Sequence, residues 1–379
     1  MYKTVIKSIL AMNLTYKCFS TFLVSVILIC CVPSLGQDRN SNYLDSVRHL
    51  VQKLSSDSER VNTLIDITKG ISCDDSIKKV AVALEAKKIA ENINWAKGIR
   101  NSNNAVALIY FQCQKQYERA FEYLNANVEL AKKNKDVHGE AVALEVIAKE
   151  YSELNEHQHA IDYYYMVLDI YPGTTAEAIA YGNIGNEYKA VNDYLKALNF
   201  YDSSYIRLKS KNTNDINDTF ELAGLNLNRG EIYLYINKPD KALSHYDSVL
   251  NSSASVVDKH FKVWALIGKG RTFRYKKEYQ KAIGIYQEAL IVARQVNSFE
   301  EEVNIDVELA NIYVEMSDLT KSLGYADSAI YLAETQHFIS SLSKCYTTLG
   351  NIYLKQEKND LAISYLLKAQ AMGKQTRNL

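Results

Sequence analysis

The sequence predicts an all-α chain built from tandem helical hairpins, about eight antiparallel helix pairs. Three observations predict it. Only three prolines (Pro33, Pro172, Pro239) and 15 glycines interrupt 379 residues, so long helices can run unbroken. Tyrosine is over-used, at 28 copies. A spacing of small and aromatic residues also recurs about every forty positions, the mark of a repeat array. One compact domain of this length would be unusual, whereas an elongated array has no such limit.

The first element, residues 1–36, reads as an export leader. Lys3, Lys7 and Lys17 precede the apolar run from Phe22 to Val32, and Pro33 ends that run. Ser34, Leu35 and Gly36 then supply a small-residue cleavage site before Gln37. The run is short for a membrane span of about 20 residues. The expectation is an exported chain, periplasmic or secreted, or one held at the membrane by an uncleaved segment. Without residues 1–36 the chain has 41 basic and 44 acidic residues, a net of −3. That balance favours neither nucleic acid nor an anionic membrane.

Residues 37–58 read as a loose lead-in with one short amphipathic helix near Leu44 to Leu54. The repeat array then fills 59–379. Its alanines fall at Ala120, Ala160, Ala197, Ala242, Ala282 and Ala362, with Ser322 in the one gap. Twelve residues before them stand small residues, Ala148, Gly185, Gly230, Gly270, Ala310 and Gly350. Three residues after those come aromatics: Tyr151, Tyr188, Tyr233, Phe273, Tyr313 and Tyr353. Another aromatic often follows the alanine by four, as at Tyr164, Tyr201, Tyr246 and Tyr286. In a helical hairpin the small residue and the alanine let two helices approach closely. The aromatic three after the small residue is expected to fill the wedge between successive hairpins. The resulting segments are a degenerate cap at 59–100 and repeats near 101–140, 141–177, 178–222, 223–262, 263–302, 303–342 and 343–379. Lys209–Asp218 and Asn251–Ser255 read as polar surface loops.

These residues resemble the tetratricopeptide repeat family. The clearest copies are Leu349-Gly350-Asn351-Ile352-Tyr353 with Leu361-Ala362-Ile363-Ser364-Tyr365, and Ile184-Gly185-Asn186-Glu187-Tyr188 with Lys196-Ala197-Leu198-Asn199-Phe200-Tyr201. The resemblance implies a right-handed superhelical solenoid, with first helices lining a concave groove that holds a protein or peptide. It places Asn183, Asn186, Asn228, Asn311 and Asn351 at groove positions, where an amide can bond an extended backbone. Trp264, Arg271, Arg274 and Tyr275 share one first helix, and the arginine pair could grip a carboxylate or stack on a ring. The family's carboxylate clamp is incomplete here, because Trp264 and Gly268 occupy two of its basic positions.

The chain also looks similar to periplasmic repeat regions of bacterial sensors, with the leader, the Asp57-Ser58-Glu59-Arg60 opening and the forty-residue period in common. No apolar span, kinase or DNA-reading segment follows, so a signalling output would be lost or sit on a separate chain. The last predicted helix carries Leu361, Ile363, Tyr365, Leu366, Leu367 and Met372 with no helix after it, which makes self-association through that end an expectation.

Chemistry-bearing patterns are absent. The sequence has no His-Glu-x-x-His, no Cys-x-x-Cys and no Gly-x-Ser-x-Gly. His157 and His159 flank a turn, where two ligands make no metal site. Gly268-Lys269-Gly270 lies inside a predicted helix and is no phosphate cradle. Glu300 to Glu302 read as a solvated charge run at a helix start. No enzyme activity and no cofactor are expected. Cys73, Cys113 and Cys345 read as buried thiols, since three cysteines far apart form no disulfide framework.

Overall fold

The computed structural model describes residues 39–170, 172–210 and 215–378. The proposed leader lies outside these residues, as does 211–214 within the Lys209–Asp218 connector. Every regular element among the described residues is helical. The chain divides into two compact units, one ending at Pro172 and one beginning at Gly173.

The first unit holds α1 (Arg39–Val51), α2 (Asp57–Gly70), α3 (Ser76–Asn92), α4 (Ala96–Leu108), α5 (Tyr117–Lys133), α6 (Val137–Glu153) and α7 (His157–Ile170). Local chemistry starts α2. The Ser56 hydroxyl accepts from the Glu59 amide, and Glu59 reaches back to the Ser55 amide, so two orphan donors are satisfied. The short helix expected near Leu44 to Leu54 is present as α1, earlier by a few residues and packed against its neighbours. Val47 and Val51 of α1 are buried with Val61, Leu64 and Val82, and Arg48 pairs with Glu85 at 2.7 Å.

The cysteine expectation is corrected here. Cys73, in the turn between α2 and α3, is disulfide-bonded to Cys113, in the single π turn after α4. They stand 40 residues apart, one repeat period, so stacking brings equivalent turns of consecutive hairpins together. Cys345 is free and buried.

The second unit holds α8 (Thr175–Ala190), α9 (Tyr194–Ser210), α10 (Ile216–Tyr235), α11 (Pro239–Leu250), α12 (Ser253–Val257), α13 (Lys259–Tyr275), α14 (Tyr279–Gln295), α15 (Phe299–Glu315), α16 (Leu319–Thr335), α17 (Ile339–Lys355) and α18 (Asn359–Asn378). Among the described residues the two units together contain eight helix pairs, α2/α3 to α6/α7 and α8/α9 to α17/α18, with α1 and the short α12 outside the pairing. The Asn251–Ser255 connector is thus not wholly a loop, because α12 forms there and buries Ala254 against Val249 and Ala265.

The repeat pattern translates into packing. Ala120, Ala160, Ala197, Ala242, Ala282 and Ala362 have no exposed surface, and neither does Ser322, whose hydroxyl bonds the Ala310 carbonyl at 2.9 Å. The glycines face tyrosine rings. A Cβ on Gly185 would sit 2.6 Å from Tyr201, and one on Gly270 2.7 Å from Tyr286. Tyr246 is shared, since a Cβ on Gly230 of its own pair or on Gly268 of the next would meet its ring at 2.7 or 2.4 Å. The wedge between those hairpins is therefore filled by the aromatic four after the alanine.

The aromatic three after the small residue does something else. Tyr188 stacks on Phe200, Tyr233 on His245, Tyr313 on Tyr325 and Tyr353 on Tyr365, each within one hairpin. A lysine just before the alanine position caps these rings: Lys196 over Tyr188, Lys241 over Tyr233, Lys281 over Phe273 and Lys321 over Tyr313, at 4.9–5.7 Å. Intra-hairpin stacking wins because the twelve-residue spacing puts both rings on facing helices of one pair. Bridging does occur at Tyr151, which stacks on Phe121 as well as Tyr163.

Candidate partner-binding face

First helices α10, α13 and α15 line a cavity of about 270 Å³. Asn228, Glu231 and Tyr235 come from α10, Trp264, Gly268 and Arg271 from α13, Glu301 and Asn304 from α15. Tyr246 of α11 closes the base, reaching it because Gly268 has no side chain. The structure thus brings together three of the predicted groove residues, Asn228, Trp264 and Arg271. Asn183 and Asn186 lie one hairpin away on α8, and Arg274 and Tyr275 lie one turn beyond Arg271. Asn311 on α15 is half-buried and Asn351 on α17 is exposed, both outside the cavity.

Polar bonds step from one first helix to the next. Lys189 of α8 donates to Asn228 and Glu231, both at 2.8 Å, and Asn228 donates to the Asn186 carbonyl oxygen at 3.1 Å. The Tyr201 hydroxyl donates to that same oxygen at 2.7 Å. Asn186 and Asn228 therefore spend part of their bonding capacity on stacking the repeats. Tyr275 donates to Asn237 at 2.8 Å. The indole Nε1 of Trp264 donates to Glu301 at 2.9 Å.

The arginine pair is also committed internally, which corrects its reading as a ready grip for a ligand carboxylate. Arg271 bonds Glu308 at 2.8 Å, and Arg274 bonds Glu308 at 2.7 Å and Glu315 at 2.6 Å. Burial opposes the charge on Arg274, and the bonds to Glu315 and Glu308 outweigh it, raising its pKa. Glu301 is not merely part of a solvated charge run. Burial pushes its carboxyl pKa up, but hydrogen bonds from Ser298 and Trp264 outweigh that and hold it below the usual range.

Sequence reasoning missed Tyr235, Tyr246 and Glu301 as neighbours of the predicted residues. Tyr235 stands five after the small Gly230, and Glu301 stands 37 after Trp264, close to one period. That spacing was the available signal. Elsewhere, a larger cleft of about 1140 Å³ lies beside the Lys209–Asp218 connector between α9, α10 and α11, with none of the predicted residues in its wall. No group of three or more His, Cys, Asp or Glu able to hold a metal occurs among the described residues, and none of their helices is long and apolar enough to cross a membrane.

Tetratricopeptide-repeat family models match residues 98–173, 221–295 and 343–372. No curated protein sequence matches at a significant level. Solved structures do. The apo form of the quorum sensor NprR from B. thuringiensis aligns with a TM-score of 0.61 at 16% identity, over 88% of this chain and 92% of that one. The apo form of RapI aligns at 0.55 and 14% identity, over 73% of this chain and 99% of that one. A Rap protein solved with Competence and Sporulation Factor aligns at 0.53 and 13% identity, over 90% and 94%. At such identities the likeness is one of fold. The matched repeats and the paired-helix architecture together make this chain a member of the tetratricopeptide-repeat family.

Proposed function

We propose that the chain is a non-enzymatic interaction scaffold of the cell envelope, holding an extended peptide or protein segment along the first-helix face of its second unit. One observation carries this reading. Three first helices converge on a walled cavity in which exposed aromatics sit beside bonded amides and carboxylates. Such a surface offers stacking area and donor–acceptor pairs to an extended segment. The Rap protein solved with Competence and Sporulation Factor supports the same use of the fold.

The Cys73–Cys113 disulfide supports export, because disulfides persist in oxidising compartments and are rare in the cytosol. A second reading, a sensor module whose output lies on another chain, is favoured by the likeness to the quorum sensor NprR. Selection of a displayed random-peptide library on the immobilised chain tests the scaffold. Enriched peptides should lose most of their affinity with Trp264→Ala or Tyr235→Ala. Failure to enrich any sequence, or binding indifferent to both substitutions, would refute the reading. Export is tested by the mass of the mature chain, expected to begin at Gln37. Alkylation before reduction should leave Cys73 and Cys113 unmodified.

A further inference from the structure

The cavity between α10, α13 and α15 carries a charge pattern that narrows its ligand. Trp264 and Tyr235 are 40% and 58% exposed, yet neither is loose. The Trp264 indole is tied to Glu301, and the Tyr235 hydroxyl donates to Glu231 at 3.2 Å. Two aromatic walls are thus each oriented by a carboxylate lining the same cavity. The base is flat, because Gly268 lets the Tyr246 ring come up against α13.

The charges around this space do not cancel. Glu231 is matched by Lys189 at 2.8 Å, and Arg271 by Glu308 at 2.8 Å. Glu301 takes its hydrogen bonds from neutral donors, the Ser298 hydroxyl, the Trp264 indole and its own backbone amide. His260 is the nearest imidazole, bonded through Ser298 at 3.5 Å and tilted against Trp264. An anion whose hydrogen bonds come from neutral groups beside an aromatic face attracts a cation, since the ring's negative face and the carboxylate act in the same direction. A carboxylate offers about four lone-pair sites, so three donors leave room for a fourth. A cavity of about 270 Å³ admits one long side chain and no folded element.

We propose that this cavity is a specificity pocket for a single cationic side chain, arginine or lysine, presented by the bound segment, with Glu301 and Trp264 as its recognition pair. The inference rests on the scaffold reading, and its experiment separates the two. The probe is Nα-acetyl-arginine amide, titrated into the ¹⁵N-labelled full chain, with Nα-acetyl-citrulline amide as the uncharged isostere. The chain has two tryptophans, so the Trp264 indole resonance is read directly, and Trp95 serves as an internal control.

The expected result is a saturable shift of Trp264 with the arginine amide and about tenfold weaker binding of the citrulline amide. Glu301→Gln keeps an oxygen for the indole and removes the charge. It should erase the preference for arginine while leaving citrulline binding in place. If Glu301→Gln fails to fold, Trp264→Phe followed by calorimetry takes its place, with a weakened preference for arginine expected. Equal binding of the two amides, or no movement of Trp264, overturns the pocket. Selected peptides that depend on Trp264 but contain no basic residue overturn it while leaving the scaffold reading intact. Arginine binding with no peptide binding leaves the pocket and refutes the scaffold.

Discussion

Asp306 shows how one side chain sets a pH response. It is 2% exposed at the α15–α17 contact, bonded to the Ser328 hydroxyl at 2.8 Å, and burial raises its pKa from 3.8 to about 6. Its contribution to stability is full below the unfolded value and is lost as pH rises through 6, a loss of roughly 2–3 kcal/mol. Asp306→Asn should raise the thermal midpoint at pH 8 and flatten its pH dependence between 4 and 6. His245 acts in the opposite sense. Desolvation lowers its pKa to about 4, so its contribution is present above the ordinary value and lost as pH falls through 4. The small positions make the second residue-scale prediction. Gly268→Ala drives a methyl into the Tyr246 ring and should cost about 1–3 kcal/mol in denaturant titration. The glycines and alanines were legible in sequence because their spacing repeats. Asp306 was not, since its burial comes from neighbours on two other helices.

Helices here end in a common way, and that ending is a feature of elements. Among the described residues eleven non-glycine residues adopt positive φ, including Asn155, Asn192, Asn237, Lys277, Ser317 and Glu357. Each of these follows a helix by two positions, and the next amide bonds back to a carbonyl five residues earlier, as from Glu278 to Phe273 at 2.9 Å. This is the left-handed helix stop that glycine usually occupies. Asparagine tolerates it, whereas lysine and glutamate hold it at some cost. Lys277→Gly should therefore leave stability unchanged or raise it by about 0.5–1 kcal/mol, and Asn237→Val should lower it by about 1–2 kcal/mol. Thermal melts of both variants check this. Element order was legible because two helices per forty residues leave a readable rhythm. The lysine-capped aromatic stacks were not recognised, although lysine precedes the alanine position in four copies, because cross-helix pairing is invisible until both helices are placed. The terminal helix was half-read: Leu361, Ile363 and Leu367 are exposed as expected, while Leu366 packs on Gly350 and Met372 on the Cys345 cluster.

In a stacked array each repeat touches only its neighbours, so stability is a sum of local terms and not a single cooperative quantity. The Cys73–Cys113 bond adds a covalent term to the first two hairpins. Closing a 40-residue loop removes unfolded-chain entropy equivalent to about 4 kcal/mol. Reduction should lower the midpoint of α2–α5 in hydrogen exchange and leave α13–α16 unchanged. A uniform loss would show that the array unfolds as one body. The bond went unread because counting cysteines addresses frameworks, and comparing positions modulo the period would have paired these two. A riveted margin also gives a chain of like units a direction. Thermal loosening that cannot begin at the amino-terminal hairpins has to start further along, so a protease added to the native chain should trim from the carboxyl side inward. Reducing agent should remove that polarity.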